Sequence, residues 1–225
     1  MIECKNVIKE FGEPPQRVLH GLSFKIEDGE FVSISGRSGS GKSTLLYLIS
    51  SLDTPSSGEI FIDGKNLNNI NSDQIHAFRN QNVGFIFQFH YLLPELTSIE
   101  NVLLPARNLG IMNERSEFAK SLLKELGVLE KMNRYPSELS GGEQQRIAIA
   151  RALVLKPRYI FADEPTGNLD TINARIVMNM LKKVNQENKT TICLVTHDPS
   201  FAAMGDREIY LVDGRISSRD RDTIS

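Results

Sequence analysis

The sequence predicts an α/β fold with a mostly parallel central sheet, an N-terminal antiparallel β patch and a helical subdomain. A Gly-rich turn at residues 36–44 follows an apolar, strand-like run and precedes a helical one. Two further apolar runs, at residues 83–87 and 159–162, end in polar side chains, as strands do at the ligand crevice of an open α/β sheet. Residues 89–157 carry helical rather than alternating patterns, which indicates an insertion in the α/β chain.

Composition limits the class of protein. The chain has 225 residues, of which 40% are hydrophobic and 24% charged, as in ordinary globular proteins. The net charge of −2 gives no electrostatic reason to expect nucleic acid as a partner. No apolar run reaches the length of a membrane span and the first residues lack a signal-peptide pattern. We therefore expect a cytoplasmic protein, or one attached to a membrane through a partner.

The N-terminal third predicts the antiparallel patch. Strand-like runs occur at residues 2–7, 22–26 and 59–62, and Asp63-Gly64 is typical of a hairpin turn. A second hairpin is predicted around Asp213-Gly214. Cys4 and Cys193 stand in strand-like runs without metal-ligand spacing, so we expect buried thiols in a reducing compartment.

The Gly-rich turn matches the phosphate-binding pattern G-x-x-x-x-G-K-[ST], with the flanking strand and helix that it requires. Glycines allow the backbone N–H groups to converge on phosphate oxygens at a helix N-terminus. Lys42 would bring charge to the outer phosphates, and the Ser43 hydroxyl is suited to Mg²⁺. The predicted nucleotide-binding residues are Gly36, Arg37, Ser38, Gly39, Ser40, Gly41, Lys42, Ser43 and Thr44.

Polar residues at strand ends predict the rest of a nucleotide site. Asp163 and Glu164 end a buried strand, where Asp163 would hold Mg²⁺ and Glu164 would polarise the attacking water. Gln88 ends another strand, where it could reach a metal ion or a water. His197 ends a third strand and could meet a γ-phosphate. Considered singly, Gln88 and His197 are more often surface or turn residues.

Three further residues or segments have weaker individual signals. Phe11 could be a stacking platform for a nucleobase, although a lone Phe is more often a core or loop anchor. Ser140 is a good N-cap, and the two glycines after it clear a helix N-terminus for a second anion. Asp170 is expected to cap the helix that follows it.

The order of these motifs resembles the nucleotide-binding subunit of ABC transporters over nearly the whole chain. The resemblance implies that Phe11 stacks on adenine, where the family usually has Tyr, and that Gln88 and His197 are the Q-loop and switch residues. It also implies a P-loop NTPase fold of ABC type. Other roles carried over are the catalytic base Glu164, the metal ligands Ser43, Gln88 and Asp163, the D-loop residue Asp170, and a signature with Glu in place of the commoner Gln: Ser140, Gly141, Gly142 and Glu143.

The resemblance further implies a head-to-tail dimer around two Mg-ATP molecules, in which each signature acts on the ATP of the other copy. The α/β core would comprise residues 1–88 and 158–225, and the helical subdomain about 89–157. Membrane permease subunits would dock around residues 88–96, which places the chain on the cytoplasmic face of the inner membrane as a peripheral protein.

Two segments, 87–97 and 164–170, resemble the LolD family of lipoprotein-releasing ATPases, and the second is shared with the MacB efflux and FtsE division ATPases. MacB-like and FtsE-like functions therefore stay as alternatives. A soluble ABC-type ATPase acting on DNA or ribosomes is opposed by the single copy and the lack of basic excess. A binding module without turnover is opposed by Glu164. No nucleic acid is expected as a partner.

Overall fold

The computed structural model describes residues 1–217, so positions 218–225 of the predicted core lie outside the described residues. The strands are β1 (Ile2–Phe11), β2 (Gln16–Ile26), β3 (Phe31–Gly36), β4 (Ser57–Ile62), β5 (Lys65–Asn66), β6 (Val83–Ile86), β7 (Tyr159–Asp163), β8 (Thr191–Val195), β9 (Arg207–Val212) and β10 (Arg215–Ser217). The helices are α1 (Lys42–Ile49), α2 (Ser72–Asn82), α3 (Ser98–Asn108), α4 (Met112–Glu125), α5 (Gly141–Leu153), α6 (Thr171–Asn188) and α7 (Pro199–Ala202). Short 3-10 turns occupy Leu67–Asn69, Leu129–Lys131 and Pro136–Glu138.

The chain divides into two compact units, the first formed by residues 1–75 and the chain from Cys193 onward, the second by residues 76–192. The first unit contains an antiparallel sheet with the strand order β2-β1-β4-β5. Cys4 pairs with Phe24 on one side and Ile60 on the other. This sheet confirms the predicted N-terminal patch.

Both predicted hairpin turns are present in the first unit. Asp63 and Gly64 join β4 to β5 with positive φ angles of 53° and 75°. Asp213 and Gly214 join β9 to β10 with φ angles of 45° and 70°. A Cβ at Gly214 would lie 2.0 Å from the carbonyl oxygen of Val18, so this turn accepts only glycine.

Parallel pairing dominates the strands that carry the polar strand ends. In the first unit the order is β10-β9-β3 followed by the part of β8 from Cys193 onward, with β3 parallel to β9. In the second unit β6 is parallel to β7, and Ile86 pairs with Ala162. Every residue of β7 and β8 is buried, as is typical of parallel strands covered on both faces. The predicted α/β class with a mostly parallel sheet is confirmed.

The second unit carries the helices α3 to α6. Helix α3 packs against α4 and α5, and the buried residues of α5 include Ile147, Ala148 and Ile149. Strand β6 approaches α5 so closely that a Cβ at Gly84 would lie 2.4 Å from the carbonyl oxygen of Ala152. Among residues 1–217, none of the helices combines the length and apolar character that crossing a bilayer requires.

Candidate nucleotide-binding site

The phosphate-binding loop connects β3 to α1 in the first unit. Its glycines are required by shape: a Cβ at Gly36 would lie 2.2 Å from the carbonyl oxygen of Leu211, and one at Gly41 would lie 2.7 Å from Leu19. Gly39 and Gly41 also have φ angles of 78° and 95°, in the left-handed region that glycine favours. The loop therefore follows a path that other residues would block or strain.

The Lys42 side chain is hydrogen-bonded to the loop itself, and the Ser40 hydroxyl beside it is buried. Lys42 Nζ donates to the carbonyl oxygens of Gly36, at 3.1 Å, and Arg37, at 2.9 Å. Gly41 is the N-cap of α1 and has no side chain with which to cap it. The Ser40 hydroxyl is buried, and within residues 1–217 it has no hydrogen-bond partner. An unpaired buried hydroxyl is costly, so the loop is arranged for an acceptor or donor that it does not itself supply.

The other residues of the motif follow the same path. Arg37 and Ser38 are exposed, while Ser43 and Thr44 lie half-buried in the first turn of α1. His197 is exposed just beyond β8 and lines the same cavity, of about 200 Å³, as Gly36 and Arg37. The first unit thus brings the predicted switch histidine to the start of the phosphate-binding loop.

Phe11 is the last residue of β1 and is 46% exposed. Its ring is contacted by the ammonium group of Lys9, 4.8 Å from the ring centroid.

Asp198, next to His197, accepts the backbone N–H of Ser200 at 2.8 Å and caps α7. The Ser200 hydroxyl, which also donates to Asp198, is the main cause of the lowered pKa of this carboxyl.

In the second unit, Gln88 and the Asp163-Glu164 pair lie at the same edge of the β6-β7 pair. Ile86 pairs with Ala162; Gln88 lies two residues beyond Ile86, and Asp163 and Glu164 follow Ala162. Asp163 is only 6% exposed, whereas Gln88 is exposed. Glu164 has a φ angle of 47°, which is uncommon for a residue with a Cβ and is found at functional sites.

Side chains that the sequence did not single out tie these strand ends together. The buried Gln145 of α5 donates through Nε2 to the carbonyl oxygens of Phe87, at 3.2 Å, and Pro165, at 3.0 Å. Asn168 Nδ2 donates to the carbonyl oxygen of Gln88 at 3.2 Å. The loops after β6 and β7 are therefore linked through shared amide groups.

The 88–96 segment, which has neither helix nor strand, is held by donors to its backbone. The Arg151 guanidinium donates to the carbonyl oxygens of His90, at 2.8 Å, and Tyr91, at 2.6 Å. The buried Asn101 accepts from the Leu93 N–H at 2.8 Å and donates to the Leu96 carbonyl at 3.0 Å. The segment is anchored from beneath, and its exposed apolar side chains are Phe89, Tyr91 and Leu93.

The predicted signature begins α5 with a capping box. Ser140 Oγ accepts the backbone N–H of Glu143 at 3.3 Å, and Glu143 Oε2 accepts the backbone N–H of Ser140 at 2.8 Å. Lys131 lies 3.3 Å from the same carboxylate. The N–H of Ser140 is the main cause that lowers the pKa of Glu143. Ser140 is therefore the N-cap that its sequence predicts, and Glu143 completes the box.

The glycines beside this cap differ in their surroundings. A Cβ at Gly141 would meet nothing within 4 Å, while one at Gly142 would lie 3.2 Å from Leu169. Arg146, one turn further along α5, is 8% exposed, and its Nε and Nη1 atoms have no hydrogen-bond partner within residues 1–217.

Asp170 is the N-cap of α6, as its sequence predicts. It accepts the backbone N–H of Asn173 at 2.8 Å and the Asn173 side chain at 2.6 Å. The backbone N–H of Asn173 is the main cause that lowers the pKa of Asp170.

The predicted site residues are thus distributed over the two units. The first unit carries Phe11, residues 36–44 and His197, and the second carries Gln88, residues 140–143, Asp163, Glu164 and Asp170. Residues 1–217 contain no cluster of three or more His, Cys, Asp or Glu side chains suited to a metal ion.

Known proteins match this chain closely. A family model described as ABC transporter matches residues 19–167. The lipoprotein-releasing system ATP-binding protein LolD of Leptospira interrogans serovar Lai is 57% identical over 217 residues, which cover 96% of this chain and 91% of the relative. The protein of the same name from Aquifex aeolicus is 49% identical, over 88% of this chain and 89% of the relative.

Solved structures match as well. The dimeric structure of MJ0796, described as a bacterial ABC transporter cassette, has a TM-score of 0.91 and 43% identity, with 97% of each chain covered. The dimeric post-hydrolysis state of MJ0796 bound to ADP and Pi has a TM-score of 0.89 and 41% identity, again over 97% of each chain.

Proposed function

The chain belongs to the ABC transporter family, and we propose that it is the ATP-hydrolysing subunit of a transporter that releases lipoproteins from the inner membrane. The observation that carries the proposal is 57% identity to a LolD protein over 96% of the chain. Three structural features support it: a phosphate-binding loop, a carboxylate pair at a strand end and a capped helix at the signature. The relatives named LolD favour lipoprotein release over the MacB-like and FtsE-like alternatives.

We propose that residues 36–44 bind the phosphates of ATP and that Phe11 stacks on the adenine. Glycine at positions 36 and 41 lets the loop follow a path that a Cβ would block, and α1 begins directly after Gly41, where its free N-terminal N–H groups can meet phosphate oxygens. The buried Ser40 hydroxyl and the Lys42 ammonium supply polar groups to the same loop. These features fit a polyphosphate.

Mg²⁺ is the proposed metal, with Ser43, Gln88 and Asp163 as ligands. All three offer oxygen atoms, and Mg²⁺ prefers oxygen ligands together with water and phosphate. When bound, the ion would neutralise charge on the phosphates. Glu164 is the proposed base that orients the attacking water, and its φ angle of 47° is a strained backbone conformation of the kind that occurs at functional sites. His197, in the cavity beside Gly36, is proposed to meet the γ-phosphate.

We propose that two copies close head to tail around two ATP molecules. The dimeric state of the MJ0796 structures supports this assembly. Residues 140–143 would then meet the ATP of the other copy, with Asp170 nearby as the D-loop residue. The open space around Gly141 leaves room for a phosphate at the N-terminus of α5. Residues 1–88 with 158–225 would form the core, and about 89–157 the helical subdomain.

The proposed docking surface for the membrane permease is the 88–96 segment. Phe89 is 65% exposed and Tyr91 is 63% exposed, which is unusual for side chains of this size. Arg151 and Asn101 hold the backbone beneath them, so the surface is preformed. Binding there would place the chain at the cytoplasmic face of the inner membrane as a peripheral protein.

The test is capture of the membrane partner. A tagged Glu164→Gln variant, incubated with Mg-ATP, should form a closed dimer and retain its partner from solubilised membranes. The matched control is Lys42→Ala, which should not bind ATP tightly enough to close. The expected partner is an integral membrane protein with few spans and a large periplasmic domain, bearing a lipoprotein. A partner bearing a drug would favour MacB-like efflux, and capture of soluble or nucleic-acid partners alone would contradict the proposal.

A further inference from the structure

Lys9 is a buried lysine within strand β1, two residues before Phe11. Its side chain is 11% exposed, which is rare for lysine unless its charge is paired. The ammonium group donates to Asp53 Oδ1 at 2.7 Å and to the Thr54 carbonyl oxygen at 2.8 Å. An ion held this firmly has a defined position.

Asp53 is itself fixed to the helix that follows the phosphate-binding loop. Its backbone N–H donates to the carbonyl oxygen of Tyr47 in α1, at 3.1 Å. Its carboxylate also accepts the Thr54 N–H at 2.7 Å. The position of Lys9 is therefore set by α1 and not by the strand alone.

The same ammonium group lies over the Phe11 ring, 4.8 Å from the centroid. A cation over one face of an aromatic ring attracts it through the ring quadrupole. Phe11 is the last residue of β1, and the pairing with β2 has a register irregularity between Lys9 and Glu10. Strand pairing therefore fixes the Phe11 ring less firmly than it would fix a ring in the middle of a regularly paired strand.

From this geometry we infer that Lys9, anchored by Asp53, is a positioning residue that holds the Phe11 ring as a platform for the nucleobase. The inference rests on the proposed nucleotide-binding function. A nucleotide must reach both the Phe11 ring and the phosphate-binding loop. The contacts from α1 through Asp53 and Lys9 to Phe11 hold the ring at a fixed position relative to that loop. Lys9 would act on the base and leave the phosphates unaffected.

Lys5 provides a matched control on the same strand. Its ammonium group lies 4.5 Å from the centroid of the Phe61 ring, so it makes the same kind of contact. Its side chain is 53% exposed, and it has no proposed part in the site.

The experiment measures binding of Mg-ADP and Mg-pyrophosphate by calorimetry, since the second ligand lacks a base. Lys9→Met should weaken Mg-ADP binding by about three- to tenfold and leave Mg-pyrophosphate binding unchanged. Lys5→Met should change neither. Lys9→Arg, which keeps a cation over the ring, should retain most of the Mg-ADP affinity. In a Phe11→Ala background, Lys9→Met should cause no further loss, because the ring through which it acts is gone.

The outcomes are distinct. If Lys9→Met does not fold, Asp53→Asn removes the charged anchor and should weaken Mg-ADP selectively. Equal weakening of both ligands, or a full effect of Lys9→Met without the Phe11 ring, would overturn the positioning role. Wild-type protein that binds neither ligand would overturn the proposed function together with this inference. Normal wild-type binding with no change in either Lys9→Met or Asp53→Asn would overturn the inference alone.

Discussion

Glu143 and Ser140 are joined in both directions at the start of α5. The Glu143 carboxylate accepts the backbone N–H and the hydroxyl of Ser140, at 2.8 and 3.0 Å, and the Ser140 hydroxyl accepts the Glu143 N–H at 3.3 Å. The glutamate that departs from the commoner residue of the family thus has a structural role. It holds the cap residue of the helix that we propose to meet ATP.

The charge of Glu143 should stabilise the fold in a pH-dependent way. Its pKa lies below the ordinary value of 4.5, so the stabilisation is complete above that pH and is lost as the pH falls through the lowered folded-state pKa. Glu143→Gln keeps the box but removes the charge. We expect it to cost about 0.5–1 kcal/mol at pH 7, from the lost helix-terminus and Lys131 interactions.

Thermal unfolding at a series of pH values checks this. The difference in melting temperature between wild type and Glu143→Gln should become smaller below pH 4.5. Glu117→Gln, at an exposed residue paired with Lys120, should show little gap at any pH. If the melting-temperature difference for Glu143→Gln stays constant on acidification, the charge of Glu143 is not what stabilises the fold.

Alanine substitutions at Gly84 and Gly141 should have opposite effects: the first should lower stability, and the second should lower ATPase activity. Gly84→Ala would press a Cβ to within 2.4 Å of the Ala152 carbonyl oxygen, so we expect a loss of stability of about 1–3 kcal/mol. Gly141→Ala meets nothing within 4 Å and should leave stability unchanged or slightly higher. It should nevertheless lower ATPase activity, because the methyl group enters the proposed phosphate space. Denaturant unfolding and ATPase assays test the pair, and full activity in Gly141→Ala would contradict the proposed role of that space.

Ser40→Ala removes a buried hydroxyl that has no partner within residues 1–217. We expect the nucleotide-free protein to be as stable as wild type or more so, because no hydrogen bond within the described chain is lost. Mg-ADP binding should weaken by about three- to tenfold if the hydroxyl pairs with the ligand. Melting temperatures and calorimetric titration measure both effects. A destabilised variant with normal affinity would place the partner of the hydroxyl in the protein.

The two cysteines should be unreactive in the folded protein. Burial raises the pKa of Cys4 to about 12 and raises that of Cys193 as well, so both stay protonated near neutral pH. A thiol reagent at pH 8 should label neither until denaturant is added. Mass spectrometry of the labelled protein checks this, and rapid labelling of either cysteine under native conditions would show that its strand opens readily.

Local patterns predicted much of the fold and the positions of the proposed site. The hairpin turns at Asp63-Gly64 and Asp213-Gly214, and the helix caps Ser140 and Asp170, depend on residues close in sequence, and all four are present. The α/β class followed from apolar runs with polar ends. The ABC family followed from the order of several motifs.

What sequence reasoning missed depends on contacts between distant residues. Gln145 carries no local signal for its bonds to Phe87 and Pro165, which lie 58 and 20 residues away. Lys9 reads as an ordinary polar residue of a strand until the fold brings Asp53 beside it. The buried guanidinium of Arg146 is likewise visible only once its helix has packed. The roles of such side chains depend on tertiary contacts, so hydrophobic periodicity and helix-capping patterns in the sequence do not reveal them.

The side chains that hold the 88–96 segment bind its backbone carbonyl and N–H groups. Every residue type provides these groups, except that proline lacks the N–H. Arg151 and Asn101 therefore recognise the path of the chain and not its side chains. Related ATPases could exchange Phe89, Tyr91 and Leu93 for other residues while keeping the loop in place. If this segment is the docking surface that we propose, substitutions at these three positions would change which membrane protein the subunit binds, while the ATPase fold beneath it stays the same.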